Sequence, residues 1–237
     1  MRVLLTGSEG FIGKHVRTTL VAHGHEVIPF DLALGDDITK PMAARDIEAV
    51  VHLAALASPS ACDARPAEAF QINVHGTLEV LKMALASNAK KFVFSSSAHV
   101  YGVGPRYFPT DEVHPLSLGN TYTTTKILGE QLCHLYFENH GLPYTTLRLY
   151  NAYGPGQSAG YFIPDMVAKA QSGTLVLTGA STTKDFVYID DVAKAFALAV
   201  ESPFVGPINV GSGVESSLGD VASQIAKEFG ALFGYAP

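Results

Sequence analysis

Residues 2–16 read RVLLTGSEGFIGKHV. Val3, Leu4 and Leu5 form a short apolar run of the kind that makes a buried strand. Phe11, Ile12, Val16, Leu20 and Val21 recur near every 3.6 residues, which predicts a helix over 10–24. Between the two, Gly7, Gly10 and Gly13 stand at G-x-x-G-x-x-G spacing. A glycine turn that closes a first strand and opens a first helix lets backbone approach a pyrophosphate, whose charge is favoured at the helix N-terminus. Asp31 follows the second apolar run (26–30), 18 residues past Gly13. A carboxylate there accepts from ribose hydroxyls and repels a 2′-phosphate, so the turn reads as a dinucleotide site favouring NAD over NADP.

Outward from this turn, strand and helix patterns alternate. Apolar, β-branched runs fall at 3–5, 26–30, 49–54, 91–95, 144–149, 175–178 and 208–211. Helical patterns fall at 10–24, 67–87, 121–139, 190–202 and 217–230. Such alternation predicts an α/β fold, a doubly wound parallel sheet built from right-handed crossovers. The stretch 151–165 (NAYGPGQSAGYFIPD) is rich in Gly, Pro and Tyr and is expected to be loop, hinging a smaller lobe. The expected division is 1–150 for cofactor and 151–237 for the lobe together with the late elements of the sheet.

Bulk properties narrow the function. With 237 residues, 47% hydrophobic and 16% charged, the chain suits one large domain or one domain with a small appendage. The net charge is -6 and no Lys/Arg run occurs, which argues against nucleic acid as partner. No apolar run approaches the ~18 residues of a membrane span. The opening MRVLLTG has no signal-peptide core, and the two cysteines, Cys62 and Cys133, form no C-x-x-C. The expectation is a cytoplasmic protein with reduced thiols. No His/Cys/carboxylate set has metal-ligand spacing, so no metal is expected.

Ligands of a doubly wound sheet bind beyond the carboxyl ends of its strands. The third strand ends in HLAALAS (52–58), small residues that allow close passage of a ring or ribose. The fourth ends in FVFSSSAHVYG (92–102) and the fifth in RLYNAYGPG (148–156). A serine triplet there is, by itself, ordinary turn chemistry. In YTTTK, Tyr122 and Lys126 are four apart, on one face of a helix, and a neighbouring ammonium favours a phenolate.

Taken together, TGSEGFIG, HLAA, SSSAHVYG with YTTTK, LRLYNAYGP and KDFVYIDDVA resemble, in order and spacing, the extended short-chain dehydrogenase/reductase family of nucleotide-sugar epimerases and dehydratases. The resemblance covers essentially the whole chain. It implies a Rossmann-type fold with a C-terminal substrate lobe, here small and shortened relative to the family. It implies NAD as cofactor and a nucleotide-diphosphate sugar as substrate. Tyr122 would be the general base or acid. Lys126 would bind the nicotinamide ribose and lower the Tyr122 pKa, and Ser97 would hydrogen-bond the reacting sugar oxygen. The cofactor would be lined by Gly7, Gly10, Phe11, Ile12, Gly13, Asp31, Leu32, Asp37, Ile38, Leu53, Ala54, Ala55, Ala57, Asn73, Ser95 and Tyr150. Asn73 would lie beneath the nicotinamide. Ser97, His99, Asn151 and Lys184 would face substrate, with Lys184 where many relatives carry Arg.

Other polar residues have plainer readings. His52 is expected to be a strand residue and His99 a substrate-side neighbour without a proton role. Asp190 and Asp191 are expected to cap a helix N-terminus. The resemblance also implies a homodimer built by helices 67–87 and 121–139, with Met83, Leu85, Leu128, Leu132 and Leu135 as candidate contacts, most of them expected to be core.

The resemblance also orders the possible reactions. Dehydratases of the family carry Thr-Asp-Glu where this chain has Ser97-Ala98-His99, and the glucuronate decarboxylases carry Glu at the His99 position. One base and one hydroxyl fit 4-epimerisation best. The alternatives are a nucleotide-sugar reductase or dehydrogenase with net redox, and a non-catalytic NAD-binding regulator on the same fold.

Overall fold

The computed structural model describes residues 1–43 and 46–235. In chain order the elements are β1 (Arg2–Thr6), α1 (Phe11–Ala22), β2 (Glu26–Phe30), β3 (Ala49–His52), α2 (Pro59–Ala64), α3 (Pro66–Phe70), α4 (Gly76–Ala86), β4 (Lys91–Ser97) and α5 (Thr121–His140). There follow β5 (Tyr144–Leu149), β6 (Asn151–Tyr153), α6 (Phe162–Gln171), β7 (Thr174–Leu177), β8 (Thr183–Tyr188), α7 (Ile189–Glu201), β9 (Gly206–Val210), β10 (Glu215–Ser217), α8 (Leu218–Phe229) and β11 (Leu232–Tyr235). They form two units: Met1–Tyr150 with Asp190–Val210, and Asn151–Ile189 with Gly211–Pro237.

The first unit is a Rossmann-like six-stranded sheet of order β2-β1-β3-β4-β5-β9, parallel throughout. Every residue of β3, β4 and β5 is buried, as central strands covered on both faces are, although β4 ends in three serines and β5 reads Tyr-Thr-Thr-Leu-Arg-Leu. The strand order reverses between β1 and β3, so the turns after these two strands flank the switch point where such sheets bind ligands. The helix α5 lies close on β4 because Gly129 has no side chain; a β-carbon there would stand 2.4 Å from Phe94 Cζ. Its start is capped by Asn120, whose side chain accepts from Thr123 N–H, and its end by Gly141 at φ +71°.

Two sequence expectations change here. The helix predicted over 67–87 is instead α3 and α4 joined by a wide turn, Gln71–His75, in which Gly76 N–H reaches the Gln71 carbonyl five residues back. Asp190 and Asp191 sit in the first turn of α7, one and two residues past its start at Ile189, rather than at its cap. There they still complement the helix dipole.

The second unit holds a three-stranded sheet, β10-β8-β6, and a parallel pair, β11-β7. The apolar run at 175–178 thus belongs to this pair and not to the large sheet. Its helices α6 and α8 share a core of Met166, Ala170, Leu175, Leu177, Ala222 and Ala226. The stretch 151–165 is not all loop. It contains the short β6 and the start of α6, where Pro164 occupies the first turn, a position whose N–H has no helical partner.

Candidate active site

The turn after β1 is as close-packed as the glycine spacing requires. Gly7 has φ +71°, and a β-carbon on it would meet Ala54 N at 2.7 Å. A β-carbon on Gly13 would stand 2.0 Å from the Gly7 carbonyl oxygen. Gly10 caps α1, with Phe11 and Ile12 in its first turn, and no side chain makes a cap hydrogen bond to the first N–H groups of the helix. This cradle fits a pyrophosphate. Asp31, after β2, accepts from Glu9 N–H (3.0 Å) and Ala33 N–H (2.9 Å), which fixes its carboxylate beside the turn, next to the exposed Leu32. Asp37 is held by the N–H and hydroxyl of Thr39, bonds that lower its pKa. Ile38 is buried, and a β-carbon on Gly76 would meet its Cδ1 at 2.7 Å.

Behind this turn runs a buried relay that fixes the loop after β3. Thr77 Oγ–H donates to the Asn73 carbonyl (2.6 Å), so its oxygen is left to accept from His52 Nε2–H (2.9 Å). His52 Nδ1 then accepts from Thr6 Oγ–H (2.7 Å), and Thr6 oxygen accepts the N–H groups of Leu53 and Ala54, both at 3.2 Å. Burial, with the charge of Lys126, holds the His52 pKa down to about 3, so the ring is neutral. Asn73 sits in the wide turn between α3 and α4. Its side-chain amide accepts from Leu56 N–H (2.7 Å) and donates to Leu56 carbonyl (3.1 Å) and Thr125 Oγ (3.0 Å). The amide clamps the Leu53–Ala57 loop instead of standing free. Leu53, Ala54 and Ala55 are half-buried along this loop and Ala57 is exposed.

At the end of β4 and the start of α5 the proton-transfer candidates meet. Tyr122 is 8% exposed and packs with Cys62 and Ala69. Lys126 is buried. Its Nζ donates to the Ser95 carbonyl (2.8 Å) and stands 5.8 Å from the centre of the Tyr122 ring and 5.2 Å from that of Phe94. Burial pushes the Lys126 pKa down to about 8, with Cys62 and Glu130 pulling the other way. Ser97 Oγ accepts from His99 N–H at 3.2 Å, and the His99 ring lies edge-on to Tyr122 with centres 6.0 Å apart. Both Cys62 and Cys133 are free and buried, and burial raises each thiol pKa.

Tyr150 follows β5, its N–H donating to the Val210 carbonyl (3.0 Å). Asn151 and Lys184 belong to the second unit. Asn151 opens β6 and donates to the Asp185 carbonyl at 2.9 Å; Lys184 is half-buried on β8. The neighbouring Asp185 carboxylate binds Ser212 N–H (2.8 Å), Ser212 hydroxyl (2.7 Å) and Gly213 N–H (2.9 Å), pinning the turn before β10. Sequence reasoning passed over Thr6, Thr77, Ser96, Glu130 and Arg148. Glu130 alone carried a signal, since it continues the four-residue spacing of Tyr122 and Lys126.

A model of the NAD-dependent epimerase/dehydratase family matches residues 3–211. The chain belongs to this family. Among the family's curated members, the chain is 33% identical to a putative UDP-glucose 4-epimerase of Methanocaldococcus jannaschii, over 96% of this chain and 82% of that one. It is 28% identical to UDP-glucuronic acid decarboxylase 6 of Arabidopsis thaliana, over 95% of this chain and 73% of the other. Among solved structures of the family, it resembles a UDP-glucose 4-epimerase from Thermus thermophilus in complex with NAD. The TM-score is 0.89 and the identity 28%, over all of this chain and 86% of that one. Family membership makes the chain an NAD-dependent enzyme of the epimerase/dehydratase type and agrees with the glycine cradle above. Among the described residues no group of His, Cys, Asp or Glu could hold a metal ion, and no helix is long and apolar enough to cross a membrane.

Proposed function

We propose that this chain inverts carbon 4 of a UDP-sugar. The observation that carries the reading is Lys126, buried beside Tyr122 on α5 and seated on the serine end of β4. A buried cation next to a phenol favours the phenolate and makes Tyr122 a base near neutral pH. Tyr122 takes the proton of the sugar 4-hydroxyl and, after the 4-keto sugar has turned over in the pocket, returns it to the same oxygen. Ser97 holds the same oxygen by a hydrogen bond. Lys126 binds the nicotinamide ribose, the Gly7–Gly13 turn receives the pyrophosphate, and Asp31 takes the adenosine ribose. Bound NAD would supply the acceptor for the carbon-4 hydride and the donor that delivers it to the opposite face of the turned sugar. Asn73 acts by setting the position of the Leu53–Ala57 loop. Asn151 and Lys184 take the sugar diphosphate, Lys184 as a point charge without the fork of an arginine.

The turn after β4 carries Ser97, Ala98 and His99, with no carboxylate to remove water or to assist loss of CO₂. Epimerisation therefore ranks above the dehydratase and decarboxylase activities of other members. The test incubates the protein with NAD and UDP-glucose, UDP-galactose, UDP-glucuronate and their N-acetyl relatives, and follows the sugar protons by NMR. Inversion at carbon 4, lost in Tyr122→Phe, is the expected result. Stoichiometric production of NADH would instead assign a net dehydrogenase, and NAD binding without turnover of any sugar would remove the enzymatic reading.

We also propose a homodimer through the face shared by α3, α4 and α5. That face carries a shallow groove lined by Ala67, Phe70, Val74, Leu78 and Leu132 together with Gln71 and His75, and Leu128 and Leu135 of α5 are exposed. Met83 is buried in the core and takes no part in that surface, while Leu85, like Leu78 and Leu132, is half-buried against the core. Sedimentation of wild type and Leu132→Asp at micromolar concentration tests this; a wild type that remains monomeric refutes it.

A further inference from the structure

The three serines that end β4 have three different partners. Ser95 gives its carbonyl to Lys126, Ser97 Oγ accepts from His99 N–H, and Ser96 between them donates to Glu130 Oε1 at 2.5 Å. Glu130 follows Lys126 by one helical turn and Tyr122 by two, on the same face of α5. Its carboxylate is gripped by Arg148, with Nε to Oε1 at 3.1 Å and Nη2 to Oε2 at 2.7 Å, both side chains about 5–6% exposed. Arg148 faces Ser96 in the β4–β5 register. Its Nη1 also donates to Tyr101 Oη (2.9 Å) and the Glu112 carbonyl (3.0 Å), and Tyr101 Oη–H donates to Asn209 Oδ1 (2.6 Å). One buried polar net therefore joins β4, α5, β5 and β9.

Such a net is poorly explained by stability. A buried ion pair seldom does better than apolar side chains of the same volume, because desolvation offsets the attraction. This one lies directly beneath the candidate proton-transfer pair. We propose that Glu130 and Ser96 are positioning residues of that centre. Glu130 supplies the buried counter-charge that keeps Lys126 cationic, and Ser96, tied to Glu130, fixes the Ser95–Ser97 backbone against α5.

The groups facing the Lys126 ammonium support this assignment. They are Tyr122 and Glu130 on α5, Cys62 on α2 and His52 on β3, with Arg148 of β5 behind Glu130. His52 is neutral and burial keeps the Cys62 thiol protonated, so Glu130 is the anion of the set. Burial works against the Arg148 charge, but the hydrogen bonds and charge of Glu130 outweigh it and hold its pKa above the ordinary value.

The inference rests on reading Tyr122 and Lys126 as the proton-transfer pair, and its test needs no sugar. The chain has no Trp, so tyrosinate absorbance is readable in the near ultraviolet. Subtracting the same protein carrying Tyr122→Phe isolates Tyr122. With NAD at saturation, Tyr122 in Glu130→Gln is expected to titrate about one pH unit or more above wild type, because Lys126 loses its proton earlier. Glu130→Asp, which keeps the charge, is expected to titrate at the wild-type pH. Equal titration in Glu130→Gln and wild type overturns the proposal. If Glu130→Gln does not fold, Ser96→Ala takes its place: it leaves the ion pair but loosens the seat of Lys126. An upward shift in Ser96→Ala, reversed in Ser96→Thr, supports the proposal, and no shift overturns it. A wild type with no resolvable Tyr122 titration overturns the proton-transfer reading and this inference together. Absence of sugar turnover with the expected titrations overturns only the epimerase reading.

Discussion

Lowering the pH from neutral to about 5 is expected to destabilise this protein through a single buried ring. His52 lies wholly inside the first unit, between the hydroxyls of Thr6 and Thr77. Its folded pKa is about 3, against an ordinary 6.5 in the unfolded chain. The unfolded state therefore binds the proton more readily, and stability falls as pH drops from 6.5 toward 3. At pH 7.5 both states are neutral and the loss is negligible. At pH 5 the unfolded ring is almost fully charged and the folded ring is not, which makes the loss about 2 kcal/mol. That value hardly changes for any folded pKa below about 4, because the folded ring stays neutral at pH 5 in every case. The assay is urea unfolding at pH 7.5 and at pH 5, in wild type and in His52→Gln. The substitution cannot titrate there, so it subtracts the contribution of the other eight histidines of the nine. The variant should be weaker at pH 7.5, through loss of a buried hydrogen bond, yet should lose about 2 kcal/mol less than wild type on acidification. Equal acid sensitivity in the two proteins would refute the neutral, doubly bonded ring.

Gly13→Ala should put a β-carbon against the Gly7 carbonyl. It is expected to cost about 1–3 kcal/mol in thermal unfolding and to weaken NAD binding at least tenfold by calorimetry. Arg148→Met should strand the Glu130 carboxylate and cost about 3–5 kcal/mol, most of it recovered in Glu130→Leu/Arg148→Met; a double variant no more stable than the single one would contradict a desolvation origin. Asn73→Ala should orphan the Leu56 N–H, cost about 1–3 kcal/mol in urea, and accelerate amide exchange at Leu56.

How much of this was legible depended on whether the signal was local. The large sheet was, because its strands carry short apolar, β-branched stretches such as VLL in β1 and FVF in β4. The glycine turn was, because three glycines at fixed offsets between a strand and a helix state their own steric reason. The second unit was legible only in part: the run at 175–178 and the helix at 217–230 are found as β7 and α8, while other strands were missed. Its strands β6 and β10 are three residues long, and β10 is Glu-Ser-Ser, with neither length nor alternation to detect. Tyr122 and Lys126 were visible through helical spacing, whereas the ties that seat Lys126 were not. The Ser95 carbonyl and the Ser96–Glu130 bond span 31 and 34 residues and exist only once α5 lies on β4. Met83 shows the converse limit: an apolar residue on an amphipathic helix serves core or interface equally well by its spacing, and it lies in the core.

The wide turn Gln71–His75 makes the helix between residues 66 and 86 behave like a crankshaft. An α-helix advances about 100° per residue, so the extra residue held in that turn sets α3 and α4 out of phase by roughly that angle. Deleting one residue from 71–75 would make the helix more regular and the protein worse. It would swing Gly76 away from Ile38 and Thr77 away from His52, breaking two contacts that lie outside the helix. In this segment length is therefore constrained more tightly than side-chain identity. Substitutions that preserve helicity should be accepted at many positions, while single-residue insertions and deletions should not be accepted at any.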